Sequence, residues 1–331
     1  VIDLAAVRNA AALTPRLLRK LRRGIQAATA PRRAAAPRTG ASERPPMLFI
    51  VGTGRSGTTL LRMMMDSHPD LCIAPETHWL RALVEQIQLN PDNRSAIRRL
   101  LTSTPNWGDM GIDSAKLDRL LAQHTGVDFV LALYRAYAER TADKATAALL
   151  GDKTPQHGQI MTTIASLLPE AHFVHIIRDG RDVAMSHRDM WFGPGRDPQR
   201  AAEFWASRIR ETRRQGQLGV RYMELSYERL LIEPRAAITA VDAFIGLRFH
   251  ENQLNYAATA ERRLAEFGDV RNAGVVTPAS MRRSAFRLTT EPIEASRIGR
   301  WRNEMSAQDV AAYERVAGPL LEELGYQLST K

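Results

Sequence analysis

Apolar residues fall in short, dense runs separated by polar and turn-forming stretches. Met47 to Val51 is unbroken, and Phe173 to Ile177 is interrupted only by His175. Both are too short for a buried helix. The first lies between Pro45-Pro46 and Gly52, which predicts a strand buried on both faces. Leu71 to Ala74, Leu149 to Asp152 and Val220 to Leu225 predict three further strands. The stretches between them read as helices: Thr58 to Asp66, most of 77–145 with breaks around Pro91, Pro105 and Gly126, Gly180 to Met190, Pro234 to Ile245 and Asp309 to Leu324. Strands alternating with helices predict an α/β fold, a parallel sheet with helices on both faces. No internal repeat of 20–50 residues is visible.

Composition narrows this picture little. The 331 residues, 44% hydrophobic, suffice for a full core. No 18-residue apolar run predicts a membrane span. A single cysteine, Cys72, excludes intrachain disulfides and a four-cysteine zinc site. The net charge of +10 would suggest a polyanionic partner. Its distribution changes that reading. Residues 1–45 hold ten basic and two acidic residues, so +8 sits there and +2 on the rest. Only five of the 46 basic residues are lysine, a bias that a GC-rich coding sequence explains without any function. Thr14 and Pro15 could start a helix with Leu17, Leu18, Leu21 and Ile25 on one face. That segment reads as a surface helix on anionic lipid or as a disordered, partly helical extension. The expected organisation is a basic Ala/Arg-rich extension over 1–45 and one folded domain over 46–331.

The segment Gly52-Thr53-Gly54-Arg55-Ser56-Gly57-Thr58-Thr59 carries the chemistry. It lies between a predicted strand and a predicted helix, where glycines let the backbone turn and aim N–H groups at an anion. Gly52 and Gly57 have the spacing of a Walker A loop, but the lysine position is Thr58. A cation appears inside the loop instead, at Arg55. The missing lysine counts against a P-loop phosphotransferase or nucleotide kinase, the alternative enzyme class.

The loop resembles the phosphosulfate-binding loop of sulfotransferases that use 3′-phosphoadenosine 5′-phosphosulfate (PAPS), in the form found in bacterial and tyrosylprotein sulfotransferases. That resemblance implies a P-loop-like sulfotransferase fold, with Arg55, Ser56, Gly57, Thr58 and Thr59 binding the 5′-phosphosulfate. A second segment, Ile176 to Ser186, ends the strong strand and opens a helix. It resembles the family's 3′-phosphate motif, which assigns that phosphate to Arg178 and Ser186. Asp179, Arg181 and Asp182 read as surface or helix-start charges. By the same resemblance Tyr227 approaches the nucleotide, although it reads equally as a core aromatic. Arg300, in Ile298 to Arg302, belongs to a segment closing over the cofactor. The resemblance covers about residues 47–327.

Transfer to a hydroxyl needs a base for the acceptor proton. Pro75-Glu76-Thr77 resembles the family segment whose Glu is that base, and His78 is the rival. Gly151 to Pro155 resembles a segment whose lysine, here Lys153, donates to the sulfuryl group in transit. Ser284 matches a serine assisting the same charge. The catalytic set is thus Glu76, Arg55, Lys153 and Ser284, with PAPS as co-substrate. No His-x-x-x-His pair or Cys/His cluster is present, so no metal is predicted. His68 and His157 read as structural. The acceptor is expected to be a small molecule, glycan or lipid rather than nucleic acid. It would be bound by 77–145 and the loop from Met190 to Asp197. Trp107, Trp191 and Phe192 read either as its pocket or as core. The cytosolic supply of PAPS implies a bacterial cytoplasm, with weak inner-membrane contact through the basic tail.

Overall fold

A computed structural model describes residues 44–141, 143–272 and 274–329. The amphipathic segment around Thr14 to Ile25 lies outside them. Strands β1 (Met47–Gly52), β2 (Leu71–Ala74), β3 (Leu149–Lys153), β4 (Ala171–Ile177) and β5 (Arg221–Ser226) form one sheet in the order β2-β3-β1-β4-β5. Every neighbouring pair is parallel, with Phe49 of β1 in register with both Asp152 and Phe173. All six residues of β1 are buried. Alternation splits them between two cores. Met47, Phe49 and Val51 pack with Trp79, Leu83, Phe129 and Phe173. Leu48 and Ile50 pack with Leu61, Met64, Val174 and Ile238. This two-sided burial is why β1 reads as a continuous apolar run.

Helix α1 (Thr58–Asp66) follows β1. The mostly helical region 77–145 resolves into α2 (Leu80–Leu89), α3 (Arg94–Ser103), α4 (Ser114–Gln123) and α5 (Gly126–Glu139). Asn93 and Asp113 cap α3 and α4 by accepting from backbone N–H groups. α6 (Met161–Leu167) precedes β4, and α7 (Gly180–His187) follows it. α7 ends at His187, short of Met190, and the chain beyond turns through Gly193 and Gly195, both at positive φ. The longest helix among the described residues, α8 (Pro198–Gly216), was not expected from the apolar pattern. Its buried face is built largely from Ala201, Ala202, Trp205, Ala206 and Ile209, and it packs on Tyr313 and Leu320 in a third core. The chain continues through α9 (Tyr227–Ile232), α10 (Pro234–Phe244), α11 (Ala257–Ala265), a hairpin of β6 (Val270–Asn272) and β7 (Val275–Thr277), α12 (Ala279–Phe286), α13 (Trp301–Glu304) and α14 (Ala307–Glu323). Among the described residues no helix is long and apolar enough to cross a membrane.

The strand order fixes where a ligand can enter. From β1 the chain crosses to β2 at one edge. From its neighbour β4 it crosses to β5 at the other. Adjacent strands whose connections leave in opposite directions open a crevice at their carboxyl ends.

Candidate active site

Each strand of the sheet delivers one candidate residue to that carboxyl edge. β1 leads into the loop 53–57, and the loop into α1. Glu76 lies two residues beyond β2. Lys153 ends β3, Arg178 follows β4, and Tyr227 follows β5. A cavity of about 930 Å³ opens over this edge. Its walls include Gly52 to Arg55, Gly57 to Thr59, Glu76, His78, Arg178, Ser186, Tyr227 and Arg300, so the two distant motifs meet in one space.

The loop is shaped for an anion. Arg55 has φ 69, a left-handed conformation uncommon for a residue with a side chain. Gly57, at φ 99, lies under the Tyr227 ring. A Cβ there would come within 2.4 Å of Tyr227 Cδ2, so only glycine fits. Gly57 is also the N-cap of α1 and supplies no side-chain cap, which leaves the first N–H groups of the helix free for a ligand. Thr53 Oγ1 is buried in the cavity wall without a hydrogen-bond partner. Arg178 Nε is likewise buried and unpartnered. Unused donors on two residues that line one cavity fit an anionic ligand.

The two motifs are bonded to each other. Arg55 donates from Nε to Ser186 Oγ at 3.0 Å and from Nη1 to the Ala285 carbonyl at 3.0 Å. Arg178 donates to the carbonyls of Arg297 at 3.0 Å and Arg55 at 3.4 Å, and stacks 4.4 Å from the Tyr227 ring centre. Burial, with the nearby Arg178 charge, lowers the Arg55 guanidinium to about 10. An anion placed between them would relieve that repulsion.

Glu76 also lines the cavity, its side chain 28% exposed. Lys153 Nζ donates to its Oε1 at 2.5 Å, and His78 Nε2 lies 3.0 Å from its Oε2. Burial pushes the Glu76 carboxyl up. The Lys153 charge and the hydrogen bonds from His78 and Lys153 outweigh this and hold it well below the usual carboxylate range. Bonding to Glu76 raises the His78 imidazole despite its burial. Lys153 is almost fully buried and reaches the site through Glu76.

Three sequence expectations need restating. Ser56 donates to the carbonyls of Thr53 and Ile176, so its hydroxyl stitches the loop to β4 rather than lining the cavity. Ser284 is exposed, because α12 turns Arg282, Ala285 and Phe286 to the cavity instead. Asp179, Arg181 and Asp182 are helix-start charges, with Asp179 capping α7 by accepting from the Arg181 N–H, but they are buried anchors rather than surface groups. Asp182 accepts from the N–H groups of Gly299 and Trp301, at 2.8 and 3.0 Å. Trp301 Nε1 donates to Asp179 at 3.2 Å, and Arg181 stacks on the same indole. This cluster pins the 297–301 segment over Arg178. Arg300 lines the cavity while paired with Glu304.

Trp191 and Phe192 line the cavity, whereas Trp107 packs edge-on against Trp79 in the core. Cavity residues not foreseen include Arg297, His187 and Asn106. Asn106 bonds the Glu76 carbonyl. Arg297 ends a short 3-10 turn and is separated from Arg300 by extended Ile298 and the positive-φ Gly299, so like His187 and Asn106 it carries no local signal. Burial and the nearby Arg55 charge push His187 down to about 4. Among the described residues no group of three or more His, Cys, Asp or Glu side chains is arranged to hold a metal ion.

Sheet order, crevice and loop together define an α/β protein with a glycine-rich loop leading into a helix at its topological switch point. A sulfotransferase family model matches residues 46–251, and the chain belongs to that family. It is 26% identical over 313 residues to nodulation protein NoeE of Sinorhizobium fredii, covering 87% of this chain and 68% of that one. It is 24% identical to protein-tyrosine sulfotransferase 1 of Danio rerio, covering 85% and 72%. The fold matches the sulfotransferase domain of the Synechococcus PCC 7002 olefin synthase, with a TM-score of 0.60 and 23% identity over 89% of this chain and all of that one.

Proposed function

We propose that this protein moves a sulfuryl group from PAPS to a hydroxyl or amine acceptor by direct in-line transfer. The supporting observation is the joining of two anion-binding segments in the cavity that Glu76 faces, through the Arg55–Ser186 bond. A nucleotide with a 5′-phosphosulfate on the loop and α1, and a 3′-phosphate at Arg178 and Ser186, uses both. ATP would leave the second site empty. Thr58 at the Walker lysine position argues against the phosphotransferase alternative.

Glu76, held ionised, takes the acceptor proton as the acceptor oxygen attacks sulfur. The bridging S–O bond breaks and adenosine 3′,5′-bisphosphate leaves. Arg55 balances charge on the transferring group. Once Glu76 is protonated, the Lys153 ammonium loses its counter-charge and becomes available to the same oxygens. His78, bonded to Glu76, orients the carboxylate rather than replacing it. Tyr227 and Arg300 wall the nucleotide side.

On this reading residues 46–331 act as one catalytic domain, with 1–45 an accessory extension. The enzyme works where PAPS is made, in a bacterial cytoplasm. The acceptor class is a small molecule, glycan or lipid entering past Trp191 and Phe192. A transfer screen with radiolabelled PAPS against cell extracts tests the proposal. Label should move to a discrete product with the native chain and not with Glu76→Gln. Equal transfer by both would remove Glu76 as base, and no transfer to any acceptor would remove the activity.

A further inference from the structure

Phe286 has no part in the chemistry proposed for the site, yet its ring stands at the centre of it. The ring centre is 5.6 Å from the Arg55 guanidinium carbon and 5.6 Å from Lys153 Nζ. Phe286 lines the same cavity as Glu76. Lys153, bonded to Glu76, keeps only 1% of its side chain exposed. One aromatic ring thus flanks both cations assigned to the transferring group. Cations are attracted to such a ring, whereas its hydrocarbon body gives water no hydrogen-bond partner.

The ring is clamped in place. Arg282, one turn before Phe286 on α12, donates to the two Asp109 carboxylate oxygens at 2.9 and 2.5 Å and to the Gly268 carbonyl at 2.7 Å. Asp109 belongs to the turn Trp107–Met110, and the adjoining Asn106 bonds the Glu76 carbonyl. Arg55 donates to the carbonyl of Ala285, the residue before Phe286, at 3.0 Å. Phe267 meets the Phe286 ring edge-on, 5.7 Å between centres. α12 is therefore tied both to the loop that carries Arg55 and to the turn beside Glu76.

What the ring displaces is water. Arg55, Lys153 and Glu76 would give a water three polar partners if the ring left room for it. Such a water could attack sulfur in the acceptor's place. Its oxygen would form the new S–O bond and one proton would pass to Glu76. The bridging S–O bond would break, releasing adenosine 3′,5′-bisphosphate and hydrogensulfate, which loses its remaining proton to solvent. Excluding water from a reacting centre suppresses such a side reaction and strengthens the charges around it.

We propose that Phe286 is the water-excluding wall of the transfer site: its ring fills the space beside Arg55 and Lys153, so that the sulfuryl group passes to an acceptor rather than to water. The proposal rests on the PAPS reading of the cavity. Its test needs no acceptor. The full chain is incubated with PAPS radiolabelled on sulfur, and labelled inorganic sulfate is counted. A general base is worth about 10²–10⁴ to the nucleophile it serves, so Phe286→Ala should release sulfate at least about tenfold faster than the native chain. Across Phe286→Leu, Phe286→Val and Phe286→Ala the leak should grow as the side chain shrinks, and any two folded members give the trend. Affinity for adenosine 3′,5′-bisphosphate, measured by calorimetry, should stay at the native value throughout. A merely structural role would weaken that affinity without speeding sulfate release. Sulfate release that stays flat or falls along the series, with bisphosphate binding intact, would overturn the proposal. Adding Glu76→Gln to Phe286→Ala should cancel the gain, and a gain that persisted would instead overturn Glu76 as the base. A native chain that binds no bisphosphate would overturn the PAPS reading itself.

Discussion

Gly57→Ala tests the shape of the anion loop. Gly57 has φ 99, and an added Cβ would lie 2.4 Å from Tyr227 Cδ2, 2.8 Å from Tyr227 Cε2 and 3.3 Å from Ile176 Cδ1. Left-handed backbone costs a residue with a side chain about 1–2 kcal/mol. Overpacking at a tight site adds about 1–3 kcal/mol. The free protein can relieve both by shifting the loop or the Tyr227 ring, but each shift removes a wall of the proposed nucleotide site. The cost therefore falls on binding. About 2–5 kcal/mol weakens affinity for adenosine 3′,5′-bisphosphate by roughly thirtyfold to a few thousandfold. Gly246→Ala is the control. It shares a positive φ, 78, but no atom lies within 4 Å of its Cβ position. That variant should lower the melting temperature and leave affinity unchanged. Titration calorimetry and thermal melts on both variants decide the matter. Affinity of Gly57→Ala within twofold of native would refute the loop assignment.

Four further outcomes follow from the same geometry. Glu76→Gln should lower kcat by about 10²–10⁴, the span of a general base, and leave nucleotide Kd unchanged by calorimetry. Because the native Glu76 carboxyl is held low, turnover should not fall as pH drops toward the ordinary glutamate value of about 4.3. Lys153→Met should restore an acid limb in the kcat–pH profile near that value. Arg178→Met should weaken adenosine 3′,5′-bisphosphate by about 10- to 100-fold, the worth of a charged hydrogen bond, and leave adenosine 5′-monophosphate unchanged. His187 is depressed to about 4 against an unfolded value of about 6.5. The unfolded chain therefore binds the extra proton, so stability is fully present above about pH 6.5 and declines as pH falls toward 4. His187→Phe should flatten that part of a stability–pH curve measured by urea melts.

The parts of the fold that were legible are those where burial acts on consecutive residues. β1 and β4 are covered on both faces over most of their length, so their sequences are mostly apolar, β1 ending at Gly52 and β4 just before Arg178. The loop after β1 was legible because its backbone demands glycine at fixed places. α8 escaped notice because seven of its nineteen residues are charged and its buried face holds only Trp205 and Ile209 as large apolar residues among alanine, glycine and polar ones. The β6–β7 hairpin has three residues per strand, too few to show a period.

Within the site, the pairing of Glu76 with Lys153 follows from the adjacency of β2 and β3, which only the sheet order reveals. The Asp179–Arg181–Asp182 cluster looked like solvent-facing charge because its partners, Trp301 and Glu314, lie more than a hundred residues on. His187 meets Gly54 and Arg55, which are distant in sequence, and no local pattern marks it.

The central claim is that one cavity reads a nucleotide at both its 5′ and 3′ ends. Competition calorimetry with adenosine 3′,5′-bisphosphate and ATP on the full chain, with chelator present, tests it most directly. The account predicts tight binding of the bisphosphate that ATP does not displace. Equal binding of ATP, or bisphosphate binding that survives Arg178→Met undiminished, would contradict it.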